Sequence, residues 1–533
     1  MFLLKILKLS KLSSVLKATF FIGSFFLSII ANSQETLELD PDLLILLKES
    51  QNVAMQLEEG LYPDWNFKDT PVLLYKPGIQ ELLINFPHLP EGFEIFKGFN
   101  PLEGQSIYVR NGITYIPYDD QNTTIKIDGV KVLVVADTFS SMRNQLRGAM
   151  MNQPKSFLNE WLDNWDFIGS PIHKIGTILH EGFHVYQEQM AEEKYANEAV
   201  IADYPLLDPI NNSLSVLEGL ILKDALFANN EEEVLRKRNQ FVAVRNYRHS
   251  LLGPDFVEYE NLNEFSEGTA KYVEFKFFSL GENIASIQEM QFVNGYKEYK
   301  SLLPEFFKNE IEDMVNIVSV NDNRFGNMYG TGPIRYKLYY LGACQGLLLD
   351  KVMPNWKEKI FDEGVYLSNL LFSSANLNSN QLNDYLEQAK LEYNYDDIYN
   401  DKLKFETEGK KLIQEKVDNI MSSVDKTLVV LDYSGYRIRG LNHTPFGITK
   451  INDDSTIYDM VPIGVHFDKD SKLISKLTFP VLIDSKEKKL YFSIDTIIEE
   501  GDRKTKLAIK EFDLFAESFN IKKEGNRIVI TLE

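Results

Sequence analysis

Apolar residues first recur at helical steps between residues 36 and 60, where Leu43, Leu44, Leu46, Leu47, Val53 and Leu57 predict a short helix. From about 70 to 136 the pattern changes to short β-prone runs: Val72–Tyr75, Ser106–Val109 and Ile113–Ile116. Ile125–Ile127 and Val130–Val135 flank Asp128-Gly129, a pair suited to the positive φ angles of a two-residue hairpin turn. Residues 137–425 read as mostly helical. Beyond 426 strands return, as in Thr427–Leu431, Leu490–Ile494 and Arg527–Leu532. The predicted fold class is α+β: a β-rich N-terminal part (34–104), a central and mostly helical region (105–425) and a C-terminal β domain (426–533). The strands near 105–136 are expected to form the sheet against which a helix at 171–190 packs.

The first 33 residues stand apart. Lys5, Lys8, Lys11 and Lys17 come with no acidic residue before Glu35, an apolar run follows from Ala18 to Ala31, and Ala31 and Ser33 give small-x-small spacing. This is the pattern of a signal peptide, an uncleaved N-terminal anchor being the alternative. It predicts an exported chain, periplasmic or extracellular, with no membrane span in its mature form. The charge balance, 78 Asp+Glu against 56 Lys+Arg for a net −22, argues against a nucleic-acid partner. Cys344 is the only cysteine, which excludes a disulfide framework and a thiolate metal cluster. It reads as buried core. Any metal must be held by histidines and carboxylates.

Such a set is present. His180-Glu181-Gly182-Phe183-His184 is H-E-x-x-H. On a helix, residues four apart share a face, so His180 and His184 can reach one zinc ion, while Glu181 lies beside the metal as a general base. Ser170-Pro171 is a helix start signal, and Ile172, Ile175, Leu179, Phe183, Tyr186 and Met190 form the apolar stripe of that helix. Met190 occupies the position where a metzincin would carry a third histidine. His88, His173, His249, His443 and His466 are scattered singly and read as structural.

A carboxylate from a second helix is the better expectation for a third ligand. Glu260, Glu264, Glu267 and Glu274 are spaced to share one helical face, in a segment too apolar for a free surface helix and closing at Gly281. Ser266-Glu267-Gly268-Thr269-Ala270-Lys271-Tyr272-Val273-Glu274 resembles the N-E-G-x-x-x-Y-x-E segment of gluzincin metallopeptidases of the aminopeptidase-N type. The resemblance covers about residues 172–350. It implies that Glu267 is the third zinc ligand, with Glu274 and Glu264 as acids behind the ligands. Tyr339-Tyr340-Leu341-Gly342 is similar to that family's Y-x-x-G helix, which implies that Tyr339 hydrogen-bonds the oxyanion of the tetrahedral intermediate; Tyr336, Tyr340 and Tyr329 are its substitutes. Gly148–Asn152 is compared with the family's G-A-M-E-N segment, with Met151 where the acid would stand. Leu217–Leu220 reads as the start of an apolar helix. In the basic run that follows, Arg245 and Arg248 either neutralise nearby carboxylates or bind a substrate carboxylate.

The expected protein is a zincin-like, zinc-dependent metallopeptidase with one Zn2+ per chain, acting on a peptide or protein substrate. Two alternatives remain open at this level: a non-catalytic exported binding protein with a structural zinc site, and a zinc hydrolase of a non-peptide or cell-wall substrate.

Overall fold

A computed structural model describes residues 37–533 apart from 58–59, 77, 99, 101, 103, 113–122, 137–169, 320–330, 423–425, 444–446, 460–461 and 526. The predicted signal peptide, the strand at 113–116, the Gly148–Asn152 segment and Tyr329 lie outside the described residues. The chain is mixed α and β, with an N-terminal β part, a helical middle and a C-terminal β domain. Among the described residues, no helix is long and apolar enough to cross a membrane.

After helix α1 (Pro41–Leu57) come the strands β1 (Val72–Lys76), β2 (Gln80–Ile84), β3 (Glu94–Ile95), β4 (Ile107–Asn111), β5 (Thr123–Ile127) and β6 (Val130–Ala136). They form one sheet in the order β3-β4-β2-β1-β6-β5, antiparallel except for the parallel β1–β6 pair. The expected division at 104/105 runs through this sheet, because β2 pairs with β4. The β5–β6 hairpin turns on Asp128 (φ 46°) and Gly129 (φ 80°), as the Asp-Gly pair requires. Val72, Leu74, Leu133 and Val135 face the helical core, while Leu73, Tyr75, Val132 and Val134 belong to a second apolar cluster on the other face. That two-sided burial explains why these strands read as continuous apolar runs rather than alternating ones.

Helix α2 (Pro171–Ala191) packs on β6 and carries H-E-x-x-H. Ser170 caps it by accepting from the His173 amide, with Pro171 at the first helical position. Such a cap contributes about 1 kcal/mol. Ile172, Ile175, Leu179 and Phe183 are buried as the stripe predicts, but Met190 is exposed, and at that end of the helix Ala191 is the residue turned into the core. On the outer face, Glu188 binds Lys126 of β5 and Lys131 of β6, tying helix to sheet.

The helical layer continues with α3 (Pro209–Phe227), α4 (Glu231–Leu251), α5 (Pro254–Asn263), a π-turn (Glu264–Gly268), α6 (Thr269–Leu280), α7 (Tyr299–Val318) and α8 (Thr331–Val352). Helix α3 starts at the Asp208 cap and Pro209, well before the expected Leu217, because the polar stretch Asn211-Asn212-Ser213 is itself buried and hydrogen-bonded. Further on, α11 (Tyr395–Met421), which α9 (Leu367–Ala375) and α10 (Ser379–Glu392) precede, leads into the C-terminal domain. There, among the described residues, eleven strands form a second sheet. Within it, β7 (Thr427–Asp432) lies between antiparallel β14 (Lys489–Ile494) and parallel β17 (Arg527–Leu532). This domain touches the helical layer through β9 (Ile448–Lys450): the Ile448 amide donates to Thr331 Oγ1 at the start of α8.

The π-turn is where α8 comes closest to the acid-bearing segment. A Cβ on Gly342 would stand 2.6 Å from the Glu264 carbonyl oxygen and 2.7 Å from the Gly268 Cα, both backbone atoms with no rotamer to yield. Gly342→Ala is therefore expected to cost about 1–3 kcal/mol in urea unfolding, and Gly435→Ala, where nothing lies within 4 Å, far less. Equal effects of the two substitutions would contradict this packing.

Candidate metal centre

On α2, His180 and His184 stand one turn apart with ring centroids 5.0 Å from each other. Their Nε2 atoms converge on one oxygen of Glu267: His180 Nε2 lies 3.5 Å and His184 Nε2 3.3 Å from Glu267 Oε2. Four-coordinate zinc with bonds of about 2.0–2.2 Å sets neighbouring ligands about 3.4 Å apart. Each of the three residues thus offers a ligand atom, and together they could hold a metal ion.

Glu267 reaches this point from the π-turn. The wide turn carries less rotation per residue than an α-helix, so the four glutamates do not share a face as expected. Glu264 points instead at Arg245, whose Nη1 donates to both of its oxygens at 2.9 and 3.0 Å. It therefore stands in a different cluster from the metal ligands. Arg248 donates to Glu260 and to Glu218. Both arginines are buried and paired with carboxylates, Arg245 with Glu218 and Glu264 and Arg248 with Glu218 and Glu260, which is the neutralising one of the two roles open to them. Burial opposes ionisation of Glu260, but Arg248 outweighs it and holds the carboxyl well below its ordinary range.

Glu274 lies behind His180 and His173. Its Oε2 is 3.7 Å from His180 Nδ1 and its Oε1 2.9 Å from Lys271 Nζ. Burial would raise its pKa, yet Lys271 and then His180 hold it at about 2. His173, read as structural, places Nδ1 3.9 Å from the same carboxylate. On the other histidine, Nδ1 of His184 is 2.7 Å from Gln187 Oε1. Outer partners of this kind orient a ligand ring and fix which nitrogen faces the cation.

Two further groups close the site. Arg335 on α8 donates to Glu267 Oε1 at 2.9 Å, to Glu198 at 3.2 Å, and to the Tyr339 hydroxyl. Tyr259 donates to the other oxygen of Glu198. Burial works against the ionised form of Glu267, but Arg335 and the two histidines leave its pKa well below the usual range. Tyr339 stacks on His180, 5.9 Å between centroids at 11°. Burial pushes its phenol well above 10, which keeps the proton on the oxygen. Its substitutes are placed otherwise: Tyr340 donates to Glu310 in the core, and Tyr336 packs against Tyr339 and Tyr340. Glu181, half-buried beside the cluster, has its pKa raised by burial against the pull of both histidines.

Gln187, Arg335 and Glu198 were not singled out from sequence. Gln187 stands one turn after His184, and Arg335 one turn before Tyr339, so helical spacing could have nominated both. Nothing local marks Glu198. A scan of family models matches no family, and searches of curated proteins and of solved structures find no similar chain.

Burial disfavours charge on His180, but the Glu267 and Glu274 carboxylates outweigh it and bring the ring up to about 9. The ring must lose that proton before Nε2 can donate to a cation. Affinity for a divalent cation is therefore expected to rise about tenfold per pH unit through neutrality and to level off near 9, with one proton released per cation bound at pH 7. Calorimetry in buffers of different ionisation enthalpy reads that proton; zero proton release would contradict the geometry.

Proposed function

We propose that this chain is an exported, zinc-dependent metallohydrolase of gluzincin type with a zincin-like catalytic region, cleaving amide bonds in a peptide or protein substrate. The observation that carries the reading is the convergence of His180 Nε2, His184 Nε2 and Glu267 Oε2 around one point. Beside it stands a carboxylate, Glu181, that is no member of the ligand set. A site built only to hold a structural ion has no use for that extra half-buried acid. The lysine-rich, then apolar, first 33 residues support export.

His180, His184 and Glu267 would hold the zinc ion, which would supply positive charge beside the reacting carbonyl and lower the pKa of the attacking water. Glu181 takes a proton from the attacking water and hands it to the leaving amine. Its raised pKa suits that return trip better than an ordinary carboxylate would. Tyr339 retains its hydrogen at working pH and donates it to the oxyanion. Arg335 donates to the phenol oxygen, so the phenol's own hydrogen acts as a donor, and it is offered to Glu267 beside the site where the oxyanion would form. The same guanidinium holds Glu267 Oε1, which leaves Oε2 to face the histidines.

Glu181→Gln should keep its zinc and lose about 10²- to 10⁴-fold in turnover, measured as cleavage of a peptide library by mass spectrometry. Normal turnover in that variant, or no cleavage of any peptide by the zinc-loaded wild type, would defeat the peptidase reading.

A further inference from the structure

Gln187 has no solvent access, so each of its amide atoms must find its partner inside the protein. Its Nε2 faces three oxygens: Phe265 O at 3.1 Å, Ser266 O at 2.8 Å and Thr269 Oγ1 at 2.7 Å. The Thr269 hydroxyl hydrogen is already given to Phe265 O, so towards Gln187 that oxygen can only accept. All three are therefore acceptors. Turning the amide over would set Oε1 against three acceptors with no hydrogen between them. Chemistry fixes the orientation without reference to how the amide was drawn.

The consequence falls on His184. Gln187 Oε1, with no hydrogen to give, lies 2.7 Å from His184 Nδ1. The hydrogen in that bond must come from the imidazole. The Nε2 lone pair is then directed at Glu267 Oε2, 3.3 Å away. A lone pair facing a carboxylate at that distance is stable only with a cation or a shared proton between them.

We infer that Gln187 is a positioning residue of the metal centre: it fixes His184 as the Nδ1–H tautomer, and its amide nitrogen ties the histidine helix to the π-turn that carries Glu267. The inference rests on the metal-site reading of His180, His184 and Glu267. Its partners span both elements, since Gln187 and His184 sit on α2 whereas Phe265 and Ser266 belong to the π-turn. One amide therefore sets the ring that binds and the register of the turn that brings the third ligand. A widened helical turn needs such an outside contact, because it forgoes part of the regular ladder.

The test uses the full chain, with zinc affinity read by competition against a chromophoric chelator and with ¹⁵N-labelled histidines read by NMR. In the wild type, His184 should carry its proton on Nδ1 with or without zinc. Gln187→Met keeps the side-chain length and removes both halves of the amide; it should bind zinc about 10- to 100-fold more weakly while folded, and lose the fixed Nδ1–H signal. Gln187→Glu restores an acceptor for His184 but sets a carboxylate against the Phe265 and Ser266 carbonyls. It should therefore recover the tautomer and not the affinity. Wild-type affinity in a folded Gln187→Met chain would overturn the inference and leave the metal centre standing. A zinc-free wild type in which His184 carries its hydrogen on Nε2 and none on Nδ1 overturns it with no substitution at all. Failure of the wild type to take up zinc would remove both this inference and the metal reading.

Discussion

Removing a carboxylate from water is costly unless neighbours restore what hydration supplied, and Glu267 meets this cost at the contact between two helices. One oxygen faces two imidazoles and the other a guanidinium, with Arg335 in turn held by Glu198. Backbone packing makes the arrangement possible. Gly268 and Gly342 approach so closely that neither tolerates a Cβ, and this brings α8, with Arg335 and Tyr339, up to the turn that carries Glu267. Had either glycine been alanine, the guanidinium would stand off and the carboxylate would lose its counter-charge.

A second buried charge cluster lies on the other side of that turn. Glu218, Glu260 and Glu264 are matched by Arg245 and Arg248, all of them inside the helical layer. Breaking such a set by removing one partner costs about 3–5 kcal/mol, because the remaining charge stays buried. Its place in the fold gives it a purpose beyond stability. It anchors the segment before the π-turn, while Gln187 and Thr269 hold the Phe265 and Ser266 carbonyls of the turn itself, so Glu267 is presented from a turn fixed by two sets of contacts. Glu274, gripped by Lys271, stands 3.7 Å behind His180 Nδ1, as Gln187 stands 2.7 Å behind His184 Nδ1. The metal centre is supported from below by pairs of this kind rather than by its ligands alone.

Local signals carried much of this. The Ser170-Pro171 start, the Asp128-Gly129 turn, the Gly281 stop after α6 and the spacing of His180 and His184 each depend on a few neighbouring residues and were legible in the sequence. Glu267 was legible through a resemblance of nine residues, even though the helix there is not a regular one. The shared face expected for Glu260, Glu264, Glu267 and Glu274 failed for that reason: no composition cue marks a π-turn, and one widened turn is enough to send Glu264 to Arg245 and Glu267 to the histidines. Arg335 and Gln187 escaped notice because their partners are far away in sequence, and a polar residue on a buried helix face is meaningful only once those partners are known. The exposed Met190 and the early start of α3 were misread because burial follows the neighbouring elements and not the period alone.

The central claim is that His180, His184 and Glu267 hold one zinc ion, and metal analysis of the purified chain tests it most directly. The account predicts about one zinc per chain in the wild type, and its loss on Glu267→Ala in a protein whose circular dichroism is otherwise unchanged. A wild-type chain that takes up no zinc even when it is offered in excess, or a Glu267→Ala chain that keeps it with undiminished affinity, would contradict the account.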